Sequence, residues 1–256
     1  MIRRLVTPIV LVLLAVALAS VATAHGGSTV TRPRLERSLT QVFANLHARQ
    51  SEIVGQPSIP ASSLQPRAMC DKHGPKVADV GAGGDWTCLM SWSDPKVPMP
   101  VEGWGKFELN VHSNDCYTAT GPTKLIGFLT ILDTHGNDVT NPLFEFDGCF
   151  DPHGDNSPTG VVFPSLLTVT STALVVNAND KIVPTISCSL GQGGCAGIVT
   201  ASAGGQTLGR ARFDLEEGRT QSIEFPAPSA PDVVTLTIDA QTGKGAGPIT
   251  LPASTR

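Results

Sequence analysis

The segment Phe107-Glu-Leu-Asn-Val-His112 alternates apolar and polar residues, and this period of two is typical of a β-strand with one buried face. It lies within the region Met69 to Phe150, which holds four of the six cysteines and nine of the thirteen aromatic residues. The alternation returns at Cys88 to Trp92 and at Phe144 to Cys149. We therefore predict an antiparallel sheet that is tied by disulfides.

Three further segments complete this predicted sheet. Cys116 to Thr120 reads as a short returning strand. The segment Lys124 to Leu132 is apolar on both faces, which predicts a central strand of the sheet. Asp133 to Asp138 is rich in turn-forming residues and predicts a hairpin turn.

Apolar residues before the sheet recur at helical spacing, which predicts a helix from about Pro33 to Ser51 whose apolar stripe packs on the sheet. Thr31 is placed to cap this helix. The polar positions, including Arg34 and Glu36, are expected on the opposite, solvent-exposed side. A partner-binding amphipathic helix is the alternative. The stripe consists of Leu35, Leu39, Val42, Phe43 and Leu46.

The first 24 residues have the features of an export signal. Arg3 and Arg4 precede an apolar run, and Ala22-Thr-Ala24 is a small-x-small cleavage site, so the mature chain is expected to begin at His25. The alternative is an uncleaved membrane anchor, but the apolar run is short for a membrane span. We expect a secreted protein with no stable membrane insertion after cleavage.

Cleavage would change the formal charge from −4 to −6, because the signal contains two arginines and no acidic residue. Nucleic acids and anionic membranes bind clustered Lys and Arg, so this balance argues against both as partners.

The composition predicts a mainly β, or α+β, protein with two domains. We place a mobile start at residues 25–32, a helix plus antiparallel β domain at 33–150, a linker at 151–160 and an Ig-like β-sandwich at 161–256. Seven short alternating segments support the sandwich. They are Leu166–Val169, Ala173–Val176, Ile182–Cys188, Gly197–Ala201, Thr207–Leu215, Gln221–Phe225 and Val233–Asp239.

Six cysteines in an exported chain imply three disulfides. The domain boundaries favour Cys188–Cys195 in the second domain, and Cys70–Cys88 with Cys116–Cys149 in the first. Cys88–Cys116 with Cys70–Cys149 is an open alternative.

The segment Ile186 to Val199, with its Cys-loop-Cys-x-Gly pattern, and the segments Leu208 to Leu215 and Glu217-Gly218 resemble an Ig-like module of secreted actinobacterial proteins. This resemblance implies a stalk or adhesion-like β-sandwich over roughly residues 165–240, and it transfers no catalytic residue. The helix followed by Cys70 and by Trp86-Thr-Cys88 more weakly resembles exported domains of unknown function, whose helix-on-sheet layout is similar to a cystatin-like fold.

Residue patterns that would support catalysis are scarce, and no cofactor is predicted. The loop with Asp151, His153 and Asp155 offers oxygen and nitrogen ligands within a few residues and is a weak candidate for a metal site, although a solvated linker explains it as well. Glu108 and His112 share one face of a predicted strand, but the alternation of polar residues on an exposed face also accounts for them.

Trp92 and Trp104 flank the proline-rich segment Ser93 to Gly103 and are the candidates for ligand binding. The alternative is that both rings cover the core of the first domain. The first functional hypothesis is a secreted, non-catalytic binding or cell-surface interaction protein, whose ligand is an unidentified protein or cell-wall component. Second is a protease-inhibitor-like module. Third is a secreted hydrolase that uses His112, Glu108 or Asp151.

Overall fold

The computed structural model describes residues 29–72, 74–150, 159–228 and 231–255. The predicted signal, the first half of the mobile start (residues 25–28) and the candidate metal loop at Asp151, His153 and Asp155 lie outside these ranges. The described chain is mainly β with an N-terminal helix, which confirms the predicted fold class.

The helices are α1 (Arg32–Ile53), α2 (Ala61–Leu64) and α3 (Thr123–Ile126), with a 3-10 turn at Gly74–Lys76. The strands of the first half are β1 (Arg67–Lys72), β2 (Gly83–Ser91), β3 (Gly105–Val111), β4 (Cys116–Thr120), β5 (Thr130–Leu132), β6 (Asp138–Thr140) and β7 (Glu145–Cys149). Those of the second half are β8 (Leu166–Val169), β9 (Leu174–Val176), β10 (Lys181–Ile182), β11 (Thr185–Cys188), β12 (Cys195–Ala203), β13 (Gln206–Leu215), β14 (Thr220–Ser222), β15 (Phe225–Pro226), β16 (Val233–Thr242), β17 (Lys244–Gly245) and β18 (Ile249–Thr255).

The chain divides into two compact units. The described part of the first unit is residues 29–72, 74–99, 105–150 and 159, and that of the second is residues 100–104, 160–228 and 231–255. The predicted boundaries of the Ig-like domain and of the linker stay predictions.

The first unit contains a five-stranded antiparallel sheet in the order β1-β2-β3-β4-β7. Strand β3 confirms the alternation that predicted it, since Phe107, Leu109 and Val111 are buried and Glu108 and Asn110 are exposed. One face of the sheet therefore carries the core.

Helix α1 packs its apolar stripe on this core, as predicted, and Leu35, Leu39 and Phe43 are fully buried. The expectation that Arg34 and Glu36 face solvent is wrong, because both are buried. Three contacts replace water around the Glu36 carboxylate. Its Oε1 accepts hydrogen bonds from the Cys70 backbone N–H (2.9 Å) and from Arg32 Nε (2.8 Å), and its Oε2 accepts one from Thr159 Oγ1 (2.6 Å).

Thr31 is the N-cap residue of α1, but its side chain makes no capping hydrogen bond to the helix. Its backbone forms an isolated antiparallel bridge with Val80 instead. The predicted position of the cap is therefore confirmed, and the predicted capping hydrogen bond is wrong.

The central strand predicted from Lys124 to Leu132 is wrong. The segment forms the short helix α3, passes through Gly127 at a φ of +89°, and enters strand β5, which pairs only with β6 among the described strands. Apolar residues on both faces usually mean burial in a sheet. Here Phe128, Leu129 and Leu132 are exposed instead.

The second unit contains a four-stranded sheet, β14-β11-β8-β17, a five-stranded sheet, β13-β12-β16-β18-β9, and the pair β10-β15. Both larger sheets contribute to one core, for example Leu167 and Ile186 from the first, and Val199 and Leu236 from the second. This is the two-layer arrangement of a β-sandwich. Strands β17 and β18, at the end of the chain, were not predicted.

The structure contains the three disulfides Cys70–Cys88, Cys116–Cys149 and Cys188–Cys195, which are the preferred pairs. The first two link residues directly opposite each other on neighbouring antiparallel strands. In the described part of the chain, no helix combines the length and the apolar character that crossing a membrane requires.

Candidate interaction site

Trp92 does not present an open ring for a ligand. Its side chain is 5% exposed and packs in the core, with its ring centroid 4.7 Å from that of Phe43 and 6.3 Å from that of Phe107. This is the alternative stated for Trp92, a ring that belongs to the core. The loop that follows is fastened to α1 by a hydrogen bond of 3.0 Å between His47 Nε2 and Asp94 Oδ2, both of them buried.

Trp104 is half-buried in the second unit, whereas Trp92 belongs to the first. Among the described residues, the indole N–H groups of both tryptophans are buried without a hydrogen-bond partner. Ligand binding at Trp92 and Trp104 stays a prediction, and for Trp92 it would require the core to open.

Glu108 and His112 project from the exposed face of the first sheet, and the structure does not join them. Lys106 donates a hydrogen bond of 2.8 Å to Glu108, and this contact lowers the pKa of the Glu108 carboxyl. His112 Nε2 lies 3.3 Å from Thr118 Oγ1, which donates to Asp147 Oδ1 at 2.6 Å.

This second group does not have the arrangement of a hydroxyl–His–carboxylate triad. In such a triad the imidazole takes the proton of the hydroxyl and the carboxylate orients the imidazole. The Thr118 proton is directed to the Asp147 carboxylate, so His112 is left to donate to the hydroxyl oxygen. The described residues also contain no group of three or more His, Cys, Asp or Glu side chains arranged to hold a metal ion.

The β5–β6 hairpin carries the most distinctive exposed surface of the described chain. Phe128 is 74% exposed, Leu129 55% and Leu132 59%, and the other large apolar side chains that are exposed among the described residues are all valines, of which only Val77 and Val80 lie near each other in the sequence. The three lie within five consecutive residues, so their Cα atoms are at most about 14 Å apart. We call Phe128, Leu129 and Leu132 the apolar hairpin cluster.

A buried amide holds the base of this hairpin. The Asn141 side chain is fully buried, and its Nδ2 donates to the carbonyl oxygens of Ile126 (2.8 Å) and Phe128 (2.9 Å). Its Oδ1 accepts from Gln50 Nε2 (2.8 Å) and from the Leu143 N–H (3.0 Å). One side chain therefore links α1, the segment that precedes β5 and the residue that follows β6.

The tip of the hairpin is also ordered by local hydrogen bonds. Asp133 accepts from the Asn137 side chain (3.0 Å) and from the backbone N–H groups of Asn137 (2.9 Å) and His135 (2.8 Å). The contacts from Asn137 are the main reason that the pKa of Asp133 is lowered. A hairpin fixed at both ends loses little conformational freedom on binding, and this favours its use as a contact surface.

The sequence signal for this surface was the apolar run from Lys124 to Leu132, which was interpreted as buried. Gly127 inside that run was the available sign of a break, since glycine adopts positive φ readily.

No protein family model matches the chain, and no curated protein matches it. One similar solved structure is described as a Ca²⁺-stabilized adhesin that helps an Antarctic bacterium reach out and bind ice. The identity is 16%, the match covers 77% of this chain and 46% of the adhesin chain, and the TM-score is 0.23. These values establish no common fold. The resemblance to secreted actinobacterial modules thus stays a prediction.

Proposed function

We propose that this protein is a secreted, non-catalytic binding protein that inserts the apolar hairpin cluster into a recess of a partner protein. The observation that carries this proposal is the concentration of Phe128, Leu129 and Leu132 on a hairpin that Asn141 holds rigid. Isolated exposed apolar residues are common on soluble proteins, whereas contiguous exposed apolar patches mark interaction sites.

The cluster is large enough to matter for affinity. Full burial of a Leu or Phe side chain contributes about 1.5–3 kcal/mol. Scaled by the exposed fractions of Phe128, Leu129 and Leu132, the cluster offers about 3–6 kcal/mol. A complex with micromolar affinity needs about 8 kcal/mol, so polar contacts around the cluster would supply the rest.

Secretion is supported by the predicted signal and by the three disulfides, because such bonds persist in oxidising compartments outside the cytosol. The partner is therefore sought among exported and cell-wall proteins. A recess in a protein suits a projecting hairpin better than a flat polymer does.

A second candidate function, protease inhibition, is favoured by the same rigid hairpin. In that case the recess is a substrate cleft. Inhibition by the wild-type protein in a broad protease panel, abolished by changes in the hairpin, would identify this function, and no inhibition across the panel would remove it.

The test compares the wild-type protein with F128S/L129S/L132S and with a matched control, V101S/V162S/V233S, which changes exposed valines elsewhere. A partner is captured on immobilised residues 25–256 from exported and cell-wall proteins, purified, and titrated with each variant. We expect the hairpin variant to bind at least about a hundredfold more weakly and the control to bind like wild type. Equal affinity of the hairpin variant, or no partner that binds after purification, would refute the proposal.

A further inference from the structure

Strand β7 forms one edge of the five-stranded sheet. The Phe150 N–H bonds to the Asp115 carbonyl, and the Gly121 N–H bonds to the Phe144 carbonyl, so the even-numbered residues of β7 face β4. Backbone groups of successive residues in a strand point to opposite sides. The N–H and C=O groups of Glu145 and Asp147 and the N–H of Cys149 therefore point away from the sheet, and no other described strand pairs with them, whereas the Cys149 carbonyl accepts a hydrogen bond from Ser38.

The opposite edge, β1, is closed. The outward N–H of Cys70 donates to Glu36 Oε1 and that of Lys72 donates to Asp79 Oδ1, both at 2.9 Å. Open strand edges attract other chains, and proteins usually protect them. The difference between the two edges distinguishes β7 as the place where a strand can be added.

Helix α1 runs beside the β7 edge. Ser38 Oγ donates to the Cys149 carbonyl at 3.2 Å, and Gln50 Nε2 donates to Asn141 Oδ1 at 2.8 Å, just before β7 begins. Positions four apart share one face of a helix, so Val42 and Leu46 lie on the line between these contacts. Both are half-buried and pack against the core from that side.

We propose that the β7 edge and this stripe of α1 together accept an extended segment of a partner protein as an added antiparallel or parallel strand. Side chains on one face of the segment would contact Val42 and Leu46, and those on the other face would lie beside Glu145 and Asp147, which are exposed. The segment therefore alternates apolar and basic residues. This inference rests on the proposed function, since it describes how the same class of partner is recognised.

The charges favour a basic partner over a second copy of this chain. Pairing of two β7 edges would set Glu145 and Asp147 against the same acids of the other copy, and like charges on directly opposite residues are destabilising. Lys or Arg of a partner segment opposite Glu145 and Asp147 would be attracted to these carboxylates. Main-chain pairing with pockets for alternate side chains is a general mode of peptide recognition.

The test uses three capped synthetic peptides: Lys-Val-Lys-Val-Lys-Val, Glu-Val-Glu-Val-Glu-Val, and Lys-Lys-Lys-Val-Val-Val, which has the composition of the first without the alternation. Each is titrated into ¹⁵N-labelled residues 25–256 and followed by amide chemical shifts. We expect saturable shifts at Glu145, Asp147 and Cys149 with the first peptide only. N-methylation of every second amide blocks hydrogen bonding along one edge of the peptide. These shifts should disappear when the methylated amides are the ones that face β7 and persist when the other set is methylated.

Two variants test the contacts. E145K/D147K should bind the first peptide about tenfold more weakly, because two attractive cross-strand pairs become repulsive. V42D/L46D should weaken binding by a similar factor. If charge reversal prevents folding, E145Q/D147N, which keeps a hydrogen-bond acceptor for Thr118, should still weaken binding measurably.

Equal binding of the alternating and blocked basic peptides would overturn the inference, because it would show attraction by charge alone. Shifts confined to the exposed sheet face around Glu108, or no binding of any peptide, would also overturn it. F128S/L129S/L132S should bind the alternating peptide like wild type. If F128S/L129S/L132S loses partner binding and no peptide binds at β7, the proposed function stands and only this inference is rejected.

Discussion

Replacement of Asn141 by alanine tests whether the buried amide fixes the hairpin. The change removes four hydrogen bonds and leaves the Phe128 carbonyl and the Leu143 N–H without this partner inside the protein, while the Ile126 carbonyl keeps a bond from Gln50 Nε2 (2.9 Å). A buried polar group without a partner costs about 1–3 kcal/mol. The bond to the Leu143 N–H is buried and the bond to the Phe128 carbonyl is part-buried, so with the lost amide packing we expect N141A to lower the free energy of unfolding by about 2–4 kcal/mol.

N141D separates the donors of Asn141 from its acceptor. The introduced carboxylate keeps the acceptor for Gln50 and Leu143, but it faces two carbonyl oxygens where the amide donated. Burial and those oxygens raise the pKa of the carboxyl in the folded state above its unfolded value, so its protonated form is favoured by folding. The loss of stability in N141D is therefore smaller at pH 4 than at pH 7.

The assay is urea unfolding followed by the fluorescence of Trp86 and Trp92, both buried in the core that the hairpin adjoins. The matched control is N137A at the exposed hairpin tip, which loses one side-chain contact to Asp133 and should cost at most about 1 kcal/mol. A cost for N141A no greater than that of N137A would refute the reasoning, as would a pH-independent loss in N141D.

Two further predictions concern buried titratable groups. Burial raises the pKa of Tyr117 to about 12, partly offset by its hydrogen bond with Ser38. Tyrosine in the unfolded chain deprotonates near pH 10, so the wild-type protein should lose about 1.4 kcal/mol of stability between pH 8 and pH 11. Y117F should not show this loss. Urea titrations of the two proteins at both pH values that show no such difference would contradict the prediction. D94A should lower the free energy of unfolding by about 2 kcal/mol, because it leaves buried His47 without its hydrogen bond. D94N should lower it by less. Equal losses for the two variants in urea unfolding would show that the contact does not matter.

Alternation of side chains predicted β3 and its buried face because one face of the strand meets the core and the other meets water. The preferred disulfide pairs join cysteines that are neighbours along the chain within one predicted domain, and the structure places Cys70 opposite Cys88 and Cys116 opposite Cys149 in the antiparallel register. The period of two and the order of the cysteines are local properties of the chain, and a sequence displays them directly.

Sequence periodicity could not predict that Glu36 is buried. Its position in the helix is polar, and its partners are a backbone N–H on β1 and the side chains of Arg32 and Thr159. Helical periodicity assigns faces but does not show which backbone group of another element needs an acceptor. For the same reason the sequence did not predict the buried Asn141, whose hydrogen-bond partners are mostly backbone groups.

The misinterpreted segment Lys124 to Leu132 shows where the sequence pattern and the fold diverge. Apolar residues stabilise a fold when they are buried, yet Phe128, Leu129 and Leu132 are exposed. Asn141, a buried polar residue with four hydrogen bonds, holds them in that position. Burial of these side chains in a partner would gain the transfer free energy that the fold itself leaves unused. The proposed function therefore requires that F128S/L129S/L132S lose binding without losing the fold.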